Sequence, residues 1–205
     1  MDLNDYFHTK QQQQQPADPQ KKEVALVKYT FIAACALKVL AELALLAMGT
    51  YGGVGVLLST AALVLFIFSV YNAAGLCASK SLFLNAIIAF AAIFAGVLSF
   101  IFLAGGIIAH ILLALGFLAS FLFFFRFYQE LTDTSGVALF SYCFVAIVLA
   151  ALASGFLARF SVPLTVLINL AALVLNAYAM FSVTNFAHSY RAYGLRGKTQ
   201  IMNDR

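Results

Sequence analysis

Lys38 and Glu42 stand four residues apart in a stretch, Phe31 to Met48, that is otherwise apolar. Four residues is about one helical turn. On a helix both side chains therefore share one face, separated by about 6 Å along the axis. Surrounded by hydrocarbon, each charged group costs about 2.5–3.5 kcal/mol. Such a pair persists where its members bond each other, face a bundle interior or serve a pathway. Three kinds of chemistry follow: a proton or ion relay, a counter-charge for a polar ligand, or an internal salt bridge that orients one helix against its neighbours or against a docked protein.

Counting residues along the chain brings further polar groups to the depth of Glu42. These are Ser59, Thr60, His110, Ser154 and Asn169. An unperturbed histidine titrates near physiological pH, so a Glu42–His110 pair is the sharpest proton-handling arrangement the sequence offers. Asn176 lies two helical turns beyond Asn169 on the same face and reaches the level of Lys38. Its default work is to bridge helices, which amounts to about 0.6 kcal/mol per bond. Asn85 is expected near a helix end. Glu130 and Asp133, beside Arg126, are expected to be solvated at the surface.

Enzyme signatures are missing from the chain. There is no GxSxG, no HExxH, no paired-aspartate motif and no glycine-rich phosphate loop. Cys35, Cys77 and Cys143 are far apart and form no CxxC, so neither a metal centre nor a disulfide framework is expected. The sequence points to no catalytic residue and no cofactor.

The elements that position these groups follow from composition. The chain has 205 residues, 63% of them apolar and 10% charged, with a mean hydropathy of +0.96. Soluble domains carry about 45–50% apolar and about 25% charged residues, and one of this size has too little interior for such an excess. Lipid must be the solvent. That excludes cytosolic enzymes, secreted disulfide scaffolds and nucleic-acid modules. No ten-residue alternation suggests a barrel, so the expected fold is an all-α, multi-pass membrane bundle.

Six spans of about 20 residues are expected, at 26–48, 54–77, 82–104, 107–128, 136–158 and 162–187. The breaks are Gly49–Gly53, Ala78–Ser81, Gly105-Gly106, Gln129–Ser135 and Arg159–Ser161. Pro163 suits the first turn of the sixth helix, where a missing N–H costs nothing. Residues 1–23, with five glutamines and Pro16 and Pro19, carry no cleavable-signal pattern and read as a flexible polar tail. Residues 24–190 form the membrane domain, and 191–205 a basic tail.

Charge sets the expected orientation. With the N-terminus cytoplasmic, ten bases lie inside (Lys10, Lys21, Lys22, Lys28, Lys80, Arg126, Arg191, Arg196, Lys198 and Arg205) and one, Arg159, lies outside. Such a bias places both termini in the cytoplasm. The net charge of +4 then reports orientation and not a nucleic-acid partner. Tyr29, Tyr71, Tyr128 and Tyr190 fall at the inner boundary and Tyr51 at the outer one.

A shift of 57 residues superposes Phe66 on Phe123, Phe68 on Phe125, Tyr71 on Tyr128, Leu82 on Leu139, Phe83 on Phe140 and Ala89 on Ala146. Read as a parallel repeat, this predicts three stacked helical hairpins. Read plainly, it says that helix ends at one membrane surface share aromatic residues. Small residues at four-residue spacing mark the third helix (Ala92/Gly96) and the fifth (Ala151/Gly155), where backbones can approach closely. They suit packing within the bundle or between subunits. The expected function is a small non-catalytic membrane subunit or helix-packing partner, associating with other membrane proteins or with copies of itself. The alternative is a small proton- or ion-coupled transporter built on Lys38, Glu42, His110 and Asn169.

Overall fold

The computed structural model describes residues 19–48, 52–103, 105–157 and 160–187. Six helices account for nearly all of them: α1 (Pro19–Met48), α2 (Gly53–Leu76), α3 (Lys80–Phe102), α4 (Ile107–Ser135), α5 (Leu139–Leu157) and α6 (Val162–Phe181). No strand occurs among the described residues. Each helix is long and apolar enough to cross a membrane, and the chain is a multi-pass membrane bundle.

The helices pack as a ring. Each one contacts its neighbours in sequence, and α6 returns to α1; no other pair of helix backbones meets. Contact is most extensive within the α1–α2 and α3–α4 hairpins. The end where α1 begins and α6 finishes is called proximal here, the other distal. Equivalent positions of the 57-residue shift share their surroundings in part: Phe68 and Phe125 are both exposed, whereas Tyr71 is exposed and Tyr128 buried.

Large side chains fill the proximal half of the ring. Phe31, Leu82, Phe127, Leu131, Phe140, Met180 and Phe186 are all fully buried there. Their rings form a continuous train: Phe31 to Phe66 at 5.5 Å, Phe66 to Phe127 at 6.0 Å and Phe127 to Tyr128 at 5.1 Å between centroids. Such tilted and edge-on pairs each add about 0.5–1.5 kcal/mol beyond simple burial. The distal half buries smaller residues instead, among them Ala41, Gly55, Ala62, Gly96, Ala109 and Ala150.

Three boundaries differ from the sequence expectation by six or seven residues, each for a physical reason, and the others by three or fewer. α1 begins at Pro19, so Pro19–Glu23 is helical and not tail. Proline is tolerated in a first turn. α4 runs to Ser135, through the polar run expected to be a loop. It stops where Gly136 takes a left-handed φ of 69° and its N–H bonds the Thr132 carbonyl. α6 stops at Phe181, short of the expected 187. Residues 182–187 turn back under the bundle, with Val183 and Phe186 buried and the Ala187 N–H on the Thr134 carbonyl at 2.7 Å. Lys28 Nζ donates to the Val183 carbonyl at 2.8 Å, a cation just beyond a helix C-terminus, where the helix dipole favours it. Residues 1–18, Tyr51, Tyr190, Arg159 and the 191–205 tail lie outside the described residues.

Candidate functional site

Two polar centres occupy the bundle, one distal and one proximal. The distal centre is built on α1. Lys38 Nζ and Glu42 Oε1 are 2.8 Å apart, with the carboxylate side chain almost fully buried and the lysine about a third exposed. Ser59 Oγ of α2 accepts from Lys38 Nζ at 3.5 Å. From α6, Asn169 Nδ2 donates to Glu42 Oε2 at 3.4 Å, and from α5 Ser154 Oγ donates to Asn169 Oδ1 at 3.3 Å. The result is one connected chain of polar groups, Ser59–Lys38–Glu42–Asn169–Ser154, that ties four helices together.

Ring order explains its membership. α2 and α6 flank α1, and α5 flanks α6, so their side chains at equal depth can reach one another. The backbones of α4 and α1 do not meet. His110 is accordingly exposed near the start of α4, its Nδ1 bonded to the Gly106 carbonyl at 3.0 Å and its ring edge-on to Phe100. A Glu42–His110 pair does not form. Thr60 also stands apart, returning its hydroxyl to the Val56 carbonyl.

Asn176 belongs elsewhere. Its Oδ1 accepts from the Tyr128 hydroxyl at 2.7 Å, and its Nδ2 donates to the Ala172 carbonyl. Tyr128 thus reaches from α4 to α6 across the ring interior, although the two backbones are not in contact. Its buried hydroxyl has a partner, as a buried phenol requires.

The proximal centre was not expected from the sequence. Glu130 is buried and not solvated. Its Oε1 accepts from the hydroxyls of Ser79 and Ser81, its Oε2 from Asn85 Nδ2 at 3.4 Å. One carboxylate thereby fastens the α2–α3 turn to α4. Asn85 is buried for the same reason. Neighbouring Cys77, in that turn, is buried, and burial pushes its thiol from 9.0 up to about 11. Cys77 is fully inaccessible in the folded protein.

Hydrogen bonds to charged groups contribute about 1.5–3 kcal/mol each and are not additive. Glu130→Ala is therefore expected to lower the unfolding free energy by about 2–3 kcal/mol in detergent titrations. Glu130→Gln, which keeps the shape and some of the bonds, should lose about half as much. Equal stability of Glu130→Ala and the native chain would show the fastening to be idle.

The small-residue positions separate into two cases. Gly96 of α3 lies against α4: a Cβ there would meet Leu113 Cα at 3.3 Å and Gly116 Cα at 3.5 Å. From the other side, a Cβ on Gly116 would sit 2.6 Å from the Ala92 carbonyl. Ala92, Gly96 and Gly116 thus let the two backbones touch. Ala151 and Gly155 of α5 are exposed, and a Cβ on Gly155 would meet nothing within 4 Å. Among the described residues, nothing covers this face of α5 at Gly155.

Beside Lys38 lies a cavity of about 320 Å³, lined by Lys38 and Ser59 and otherwise by apolar side chains including Cys35, Phe66, Phe90 and Leu173. Among the described residues no three His, Cys, Asp or Glu side chains gather as metal ligands would. Compared with protein-family models, with curated proteins and with solved structures, the chain matches none.

Proposed function

We propose that the chain is a non-catalytic, membrane-embedded packing subunit that joins a larger assembly through the outward face of α5. One observation carries this reading: the small-residue pair Ala151/Gly155 is open to its surroundings between the exposed Leu152 and Phe156. Lipid supplies little hydrophobic drive for helix association, so close backbone approach at small residues takes its place. Within this chain the Gly96–Gly116 contact shows the same device already in use. Lys38, Glu42 and Asn169 are bonded to one another and His110 stands apart from them, which suits a bundle held rigid for docking. In this reading the proximal end faces the cytoplasm, on the strength of the ten-to-one distribution of bases.

Gly155→Leu tests the proposal. The expected result is that the variant folds with unchanged thermal stability but loses its co-purifying partner, or its own dimer, in mild detergent. Retention of every partner by a folded Gly155→Leu protein removes α5 as the docking face.

The cavity beside Lys38 favours a second reading, a small transporter using the Lys38–Glu42 pair. That reading requires the purified chain alone to move protons or ions across liposomes in a pH-dependent way, and Glu42→Gln to stop it.

A further inference from the structure

At the proximal end a groove of about 860 Å³ runs between α1 and the α2–α3 turn. It shares no residue with the distal polar centre or with the exposed face of α5. Its charged groups are Glu23, in the second turn of α1, and Lys80, the first residue of α3; both are exposed. Tyr71, also exposed, stands edge-on to Phe83 with ring centroids 5.5 Å apart. Leu26, Phe83 and Leu84 continue the lining about one turn further into the bundle.

Depth and charge together identify an occupant. Glu23 and Lys80 lie at the helix ends, where a span of about 20 residues leaves the hydrocarbon and enters the head-group layer. Leu26, Phe83 and Leu84 lie three or four residues deeper, about 5 Å at 1.5 Å per residue, where acyl chains begin. The groove therefore presents one cation and one anion above an apolar floor. A neutral acyl chain would leave both charges unused, and an anionic phospholipid such as phosphatidylglycerol would place its phosphate on Lys80 but bring no cation to Glu23.

We propose that this groove binds a zwitterionic phospholipid, with its phosphate on Lys80, its ammonium on Glu23 and its acyl chains along Leu26, Phe83 and Leu84. The opposed charges of the head group match in sign the two charges that line the groove. Tyr71 adds its ring at the level of Phe83, just below the charged groups.

The full-length chain in detergent, titrated with phosphatidylethanolamine, phosphatidylcholine or phosphatidylglycerol of matched acyl chains and read by native mass spectrometry, tests this. Both zwitterionic lipids should bind at least about fivefold more tightly than phosphatidylglycerol, which keeps the phosphate but lacks the ammonium. Glu23→Gln should narrow that preference to within twofold, because the carboxylate is what discriminates. Lys80→Gln should weaken all three lipids together. Both positions are exposed, and an unchanged melting temperature confirms that each variant is folded. Equal binding of the three lipids by the native chain, or a preference that survives Glu23→Gln, overturns the proposal. Because the groove lies apart from α5, failure here leaves the Gly155→Leu result to be judged separately.

Discussion

Gly116→Ala is expected to lower the unfolding free energy of the bundle by about 2–3 kcal/mol, and Gly116→Leu to prevent stable folding. The reason is geometric. A Cβ on Gly116 would lie 2.6 Å from the Ala92 carbonyl oxygen and 3.1 Å from Gly96 Cα, and both obstacles are backbone atoms that cannot swing aside. The two helices must separate, and this hairpin is among the most extensively packed in the ring. Two other glycines calibrate the result. At Gly96 the nearest approach is 3.3 Å, so alanine there should cost about 1 kcal/mol. At Gly155 nothing lies within 4 Å, so alanine should change stability by less than about 0.5 kcal/mol. The order Gly116, Gly96, Gly155 can be read from unfolding titrations in detergent. If Gly116→Ala proves as mild as Gly155→Ala, α3 and α4 do not meet as described.

Gly116 also shows what the sequence could and could not disclose. Ala92 and Gly96 stand out by their four-residue spacing, but spacing names one side of a contact and not its partner. The partner carries the same signal, Gly116/Ser120 on α4, and Ser120 is buried. Conversely, Ala151/Gly155 has the same pattern and faces outward. Close-approach sequences mark helices able to associate; only the three-dimensional arrangement says with what.

Depth was legible in the same partial way. Counting 1.5 Å per residue from the helix ends brings Ser59, His110, Ser154 and Asn169 to the level of Glu42, and Ser59, Ser154 and Asn169 do join one network. His110 does not, because residue counting gives height along the membrane normal and says nothing of position around the ring. α4 sits across the ring from α1. Glu130 escapes local reading for a related reason. Its neighbours Gln129, Thr132 and Asp133 are polar, as in a loop, while the groups that bury it, Ser79, Ser81 and Asn85, lie 45 to 51 residues away in the chain. No local pattern carries that information.

A second large effect belongs to the Lys38–Glu42 pair. Removing one member of a buried ion pair strands the other and costs about 3–5 kcal/mol, whereas replacing both with apolar groups is often neutral. Glu42→Leu leaves Lys38 bonded to Ser59 but without its carboxylate, and Lys38→Met leaves a buried carboxylate held by Asn169. Each should destabilise the bundle by about 3–5 kcal/mol. The double variant Lys38→Met/Glu42→Leu should recover to within about 1 kcal/mol of the native chain. Glu42→Gln should fall between, since an amide can keep its Asn169 partner. Additive losses in the double variant would mean that the two side chains act separately and that their proximity is incidental. The same double variant bears on function, because it is predicted to fold. A folded protein without the charges that still holds its partners gives the pair a helix-orienting role, whereas one that keeps its partners but abolishes a measured flux makes the charges the pathway itself.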